Sequence, residues 1–149
     1  MYKHILICTD GSAVAQKGVD HGLPLAKALG ARVTLITTTE PLPLEMTAGV
    51  VGWVPTQSTF DEFDLAQKEF AGKALAAAKK QADDLGVAAD VVHVPNTRPA
   101  EAILQTAVAR GCDLIVMASH GRRGVRKFLL GSQTQEVVTE SPVPVHVVR

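Results

Sequence analysis

The residues that first invite a chemical reading lie in the stretch MASHGRRGVRKFLLGSQ, positions 117–133. Four basic side chains, Arg122, Arg123, Arg126 and Lys127, sit among three glycines and run into Gly131-Ser132. Such a stretch suits a phosphate cradle, a nucleic-acid grip or a solvated loop. Glycine lets backbone approach an anion closely, and the first N–H groups of a helix present the positive end of its dipole. Ser132 is followed three residues later by Gln135, a capping-box spacing that predicts a helix starting at Ser132. Gly121 and Gly131 would then admit a phosphate, with the Ser132 and Thr134 hydroxyls offered to it. The pattern is not G-x-x-x-x-G-K-[ST], and no G-x-G-x-x-G follows the first apolar run, so neither standard nucleotide fingerprint is present. The basic side chains have two readings, bidentate donors to the β- and γ-phosphates or a solvated loop face.

A second candidate is TDGS, Thr9 to Ser12. These residue types cap helices and turn the chain, and an Asp10 carboxylate at this place is also suited to a ribose hydroxyl or an adenine edge. Of the five histidines only His120 falls in the candidate loop, facing either a phosphate or solvent. His4, His21, His93 and His146 are scattered without metal-ligand spacing, so no protein-built metal site is expected. Asp10 is the one carboxylate that the pattern places in the site. No general base for an attacking water is evident, and no catalytic residue is assigned.

These residues need a scaffold, and the apolar runs supply it. Five partly β-branched segments, 3–8, 32–38, 88–94, 113–117 and 144–148, are near-continuous rather than alternating, as strands covered on both faces are. Helical periodicity fills the gaps: Val14, Val19, Leu23, Ala26 and Leu29 share one side of 14–29, which Gly30 stops. Phe60, Phe63, Phe70, Ala74, Ala77 and Leu85 recur through 60–85, and a third helix runs from Pro99 to Gly111. The order β-α-β-α-β-α-β-α-β predicts a doubly wound five-stranded parallel sheet with helices on both faces, a single α/β domain over 1–149. Ligands in such sheets bind beyond the strand C-termini, which puts both candidate loops at the right end. Residues 40–59 form one long connection in which three prolines and two glycines argue against a regular element. Its Trp53 reads as a lid, an interface patch or a loop packed on its own domain.

Composition excludes several function classes. With 15 basic and 15 acidic residues the net charge is about zero, which argues against a nucleic-acid coat or a membrane-surface protein. Only 4% of residues are aromatic, too few for base-stacking platforms. No signal peptide and no run of about 20 apolar residues is visible, so a cytoplasmic location without membrane contact is expected. Cys8 and Cys112 lie in apolar stretches and read as buried thiols rather than a disulfide. Val143, Val145, Val147 and Val148 form an apolar terminal strand at a sheet edge, where a second copy of the chain can pair.

ILICTDGS, LITTTEP, MASHGRRGVRKFLLGSQTQEVV and SPVPVHVV, in this order over essentially the whole chain, resemble the universal stress protein family. Its nucleotide-binding members carry G-2x-G-9x-G-[ST], whereas this chain has Ala118-2x-Gly121-9x-Gly131-Ser132 and departs at the first glycine. The resemblance implies a Rossmann-like, adenine nucleotide alpha hydrolase-like domain that binds ATP and dimerises through the C-terminal strand, 143–148. Thr9 and Asp10 would lie against the adenosine, Asp10 near the ribose, with Thr38 backbone at the adenine edge. Met117 and Ala118 would line the nucleoside, and Gly121, Gly131, Ser132 and Thr134 would face the phosphates. Gln133, polar where the family is frequently apolar, falls in the same turn. Mg²⁺ would arrive with the nucleotide, held mainly by phosphates and water.

Three functions stay open on this reading. The first is a homodimeric ATP-binding regulatory module of the stress response. The second is a weak ATP hydrolase of related architecture, with slow turnover by positioning alone. The third is a nucleotide-free interaction protein, an alternative that Ala118 keeps alive.

Overall fold

The structure, a computed structural model, describes residues 1–46, 52–120 and 130–149. Its elements follow in the order β1 (His4–Cys8), α1 (Ala13–Leu29), β2 (Arg32–Thr38), a 3₁₀ turn (Leu44–Met46), α2 (Gln57–Asp84), β3 (Ala89–Val94), α3 (Pro99–Arg110), β4 (Leu114–Ala118), α4 (Ser132–Glu140) and β5 (Val145–Val148). The five strands form one sheet in the order β3-β2-β1-β4-β5, every neighbouring pair parallel. Ile7 lies opposite Leu35 on one side and Val116 on the other, and the buried middle of the sheet is apolar apart from threonines such as Thr34, opposite Leu6.

Two layers of helix cover this sheet, which explains why its strands read as unbroken apolar runs. Val19, Leu23 and Ala26 of α1 and Leu75, Ala78 and Ala82 of α2 pack on Ile5, Ile7, Val33 and Leu35. On the other face Ile103 and Ala107 of α3 and Val137 of α4 meet Leu6, Ile36 and Ile115. The chain leaves β1 towards β2 on one side and returns to β4 on the other. The crevice between β1 and β4 is therefore the topological switch point where open α/β sheets bind ligands.

Local rules fix the ends of the helices. Ser12 caps α1 by accepting the Ala15 N–H at 3.1 Å, and Gly30 and Gly111 close α1 and α3 in the left-handed conformation. Gly11 holds φ at +76° in the turn before α1, and a Cβ there would meet Ala74 Cβ at 3.1 Å. Among the described residues no helix is long and apolar enough to cross a membrane.

Several expectations need correction. The 40–59 connection is shorter and less irregular than its prolines and glycines suggest. It holds the Leu44–Met46 turn, and α2 begins at Gln57 because Thr56 and Thr59 bond reciprocally, side chain to backbone, at 3.3 and 3.2 Å. Residues 47–51 of that connection lie outside the described residues. Phe60, Phe63 and Phe70 are only half-buried, and burial along α2 starts at Ala71. At about 1.5 Å per residue this helix outruns the sheet, so its first half has no strand beneath it. Leu29, expected on the buried side of α1, is 36% exposed at the helix end.

Candidate functional site

A cavity of about 530 Å³ opens beyond the C-terminal ends of β1, β2 and β4, a size ordinary for a small-molecule site. Its walls come from five directions: the turn after β1, the exit of β2, the first turns of α3 and α4, and the end of β4. The switch point predicted from the strand order is thus an actual hollow.

The turn after β1 is built by its own side chains. Asp10 Oδ1 accepts the Ser12 N–H at 2.9 Å and Thr9 Oγ1 accepts the Gly11 N–H at 3.2 Å. Thr9 is buried, with its carbonyl accepting the Thr37 hydroxyl at 2.8 Å, while half-buried Asp10 lines the cavity. Thr38, the last residue of β2, lines it from the next strand.

Met117 and Ala118 form the wall at the end of β4, 6% and 5% exposed. Ala118 sits in the strand, paired in register with Val148, and is not among the residues with positive φ. Its side chain therefore imposes no backbone strain, and its methyl group simply forms part of the wall.

The first turn of α4 completes the cavity. Gly131, Ser132, Gln133 and Thr134 all line it. Gly131 rather than Ser132 is the N-cap residue; Ser132 is already helical, and no side chain caps this end. The capping box expected of Ser132 and Gln135 does not form, because glycine holds the cap position and has no side-chain oxygen to offer. In consequence the N–H groups of Ser132, Gln133 and Thr134 have no acceptor among the described residues. The other helices are served: α1 by Ser12, α2 by Thr56 and α3 by the Gln133 side chain, which accepts the Ala100 N–H at 2.9 Å.

Anchors hold this turn in place. The Gly131 N–H donates to Ser119 O at 2.9 Å, and the Thr134 hydroxyl donates to Ala118 O at 3.2 Å. The Thr134 hydroxyl thus spends its proton on the scaffold, leaving its backbone N–H for a ligand. A Cβ on Gly131 would meet Ser119 O at 3.4 Å, an ordinary contact. His120, half-buried on the cavity wall, bonds through Nδ1 to the Ser119 hydroxyl at 3.1 Å. Gly121, Arg122, Arg123, Arg126 and Lys127 lie outside the described residues.

Six lining residues escaped the sequence reading: Cys8, Ala15, Ile36, Glu40, Pro99 and Ile103. Cys8, Ile36 and Glu40 were within reach of it, since counting to the ends of β1 and β2 leads to them. Pro99 and Ile103 carry no such signal, because only the packing of α3 beside α4 brings them to the cavity. Asp10 and Glu40 are the charged lining residues described, both acidic, so on these walls positive potential comes from the uncapped α4 terminus. Burial pushes the Cys8 thiol well up from its ordinary range, leaving it an inert apolar floor. No group of three or more His, Cys, Asp or Glu capable of holding a metal occurs among the described residues.

The sequence model of the universal stress protein family matches residues 1–149. A universal stress protein from Thermus aquaticus is 37% identical over 149 residues, covering all of both chains. The solved structure of protein MJ0577, a universal stress protein of Methanocaldococcus jannaschii, superposes with a TM-score of 0.82 at 29% identity, covering 99% of this chain and 96% of that one. More distant solved members share the fold. They include an Archaeoglobus fulgidus protein in complex with dAMP (TM-score 0.69, 16% identity, 99% and 98% covered) and an Arabidopsis thaliana protein with AMP bound (0.68, 13%, 98% and 90%). A third is in complex with cAMP (0.68, 22%, 99% and 97%).

Proposed function

We propose, on the premise that the chain belongs to the universal stress protein family, that it binds ATP in the switch-point cavity and acts as a homodimeric regulatory module. One observation carries the reading. Among the described α-helices, α4 alone has no side chain accepting any of its first N–H groups, and its first turn lines the cavity. Three oriented N–H groups at the positive end of a helix are a ready site for phosphate oxygens. The apolar floor of Ile36, Ile103 and Met117 suits a purine, with the Thr38 backbone at its edge and Asp10 beside the ribose. Relatives of the same fold in complex with dAMP, AMP and cAMP support an adenine nucleotide. Mg²⁺ would come with the nucleotide and be held by phosphates and water, adding charge neutralisation that the acidic walls lack.

The described residues fit binding better than turnover. Asp10 is engaged in its own turn and His120 bonds the Ser119 hydroxyl, so neither is assigned as a general base. Slow hydrolysis by positioning alone is the most this arrangement supports. Dimerisation is proposed through β5, an edge strand whose Val145 and Val147 stay half-buried in the single chain.

The decisive experiment is direct. The purified protein is denatured and assayed for released adenine nucleotide, then titrated calorimetrically with ATP and Mg²⁺. Heat of binding at micromolar ATP is expected, and none at millimolar ATP overturns the reading in favour of a nucleotide-free interaction protein.

A further inference from the structure

We propose that Gln133 is a two-ended link whose side-chain carbonyl caps α3 while its NH₂ group donates to a phosphate oxygen of the bound nucleotide. The proposal rests on the nucleotide reading above. It adds a donor, and a coupling between helices, that the backbone cradle alone does not supply.

The geometry begins at α3. Its N-cap residue Arg98 makes no side-chain cap bond, and Pro99, the first helical residue, has no N–H. The first donor needing an acceptor is the Ala100 N–H, and Gln133 Oε1 accepts it from the first turn of α4 at 2.9 Å. An N–H can only donate, so this bond settles which branch of the amide is oxygen. The other branch is Nε2, carrying two protons that have no acceptor among the described residues. Gln133 is half-buried and lines the cavity, two residues beyond the glycine that caps α4.

Both helices joined by this side chain present their first turns to the cavity, α3 through Pro99 and α4 through Gly131 to Thr134. A second tie runs outside the cavity, where Arg98 meets Glu136 at 2.7 Å. That pair is solvent-exposed and contributes little to stability. Gln133 is therefore the link that feels the cavity's contents. A phosphate on the α4 turn satisfies Nε2, which holds the amide in the rotamer that caps α3.

Two substitutions separate the ends of the link. Gln133→Glu keeps an oxygen for the Ala100 N–H but replaces the donor with a carboxylate that repels phosphate. Gln133→Leu removes both ends. Binding of ATP and of adenosine is measured by calorimetry, and hydrogen exchange is followed at the Ala100 amide without ligand. In Gln133→Glu, Ala100 protection should persist while ATP affinity falls by about tenfold to a hundredfold. Adenosine, which has no phosphate, should lose less than about twofold. Gln133→Leu should lose Ala100 protection as well as ATP affinity. Unchanged ATP affinity in Gln133→Glu, or an equal loss for adenosine, overturns the donor end. Unchanged Ala100 protection in Gln133→Leu overturns the capping end. If the unsubstituted protein binds no ATP, the nucleotide reading and the donor end fall together, whereas the capping end is still judged by Ala100 exchange.

Discussion

A close approach of helix to sheet backbone lies directly behind the cavity wall. Gly18 of α1 faces the β4 backbone, and a Cβ at this position would stand 3.2 Å from Ala118 N, 3.5 Å from Met117 C and 3.7 Å from Met117 Cα. In Gly18→Ala two effects oppose each other. Alanine in a helix interior gains about 0.5–1 kcal/mol over glycine, whereas overpacking a tight contact costs about 1–3 kcal/mol. The atoms met are backbone, and β4 is clamped between β1 and β5, so α1 must lift by a few tenths of an ångström or the Met117–Ala118 wall must shift. The balance is a net loss from near zero to about 2 kcal/mol, or up to roughly 8 °C in Tm. Gly22→Ala is the control. Its Cβ would stand 2.6 Å from Ile7 Cδ1 and 3.3 Å from Val116 Cγ1, both on fully buried side chains, so stability should fall at least as far. That clash lies one residue short of the lining residues Cys8 and Met117. Thermal melts and ATP titrations of both variants decide the matter: Gly18→Ala should lose more affinity per degree of Tm lost. A Gly18→Ala protein about 1 kcal/mol more stable than its parent, with unchanged ATP affinity, would show slack in the contact and refute the reasoning.

Other consequences are simpler to read. Ala118→Gly should change ATP affinity by less than about threefold, since Ala118 has strand geometry; a gain beyond tenfold in a titration would mean that the methyl crowds the nucleotide. Val147→Lys on the β5 edge should convert the proposed dimer to monomer in analytical ultracentrifugation, and an unchanged sedimentation coefficient would place the interface elsewhere. Acid should destabilise the fold. His4 is held below its ordinary range by burial and then by Arg32, with Nδ1–H donating to Arg110 O at 3.1 Å and Nε2 accepting from the Thr34 hydroxyl at 2.8 Å. His93 is lowered by burial and then by Lys68. The unfolded chain thus takes up these protons first, so the stability they contribute is complete above about pH 6.5 and is lost as pH falls below it. Urea midpoints should drop between pH 7.5 and 5.5, and by less in His93→Asn; equal midpoints at the two pH values would contradict the sign. Asp113 does not mask this window. Despite burial, N–H groups of Lys3 and His4 hold its carboxyl low, so its contribution is lost only below about pH 4.

Much of the molecule was legible in its residue order, because it depends on local chemistry. Five apolar runs became the five strands of one parallel sheet, buried through at β1, β2 and β4 but partly exposed at the edge strands β5 and β3, where Val91 is 47% exposed. Gly30 and Gly111 ended α1 and α3 through their left-handed backbone. The alternation of runs and helical segments was enough to put the TDGS turn and the Gly131-Ser132 turn at one end of a parallel sheet. Tertiary structure decided what depends on distant segments meeting. The expected capping box left open who serves the N–H groups of α4, and the answer, that glycine leaves them to the cavity, needed the observed cap. Gln133 looked like a mild oddity until α3 was beside it, because its partner Ala100 lies 33 residues away in the chain. Phe60, Phe63 and Phe70 keep helical spacing along α2, yet the spacing cannot say where the sheet beneath it ends. Spacing is a property of one segment, and burial is a property of two.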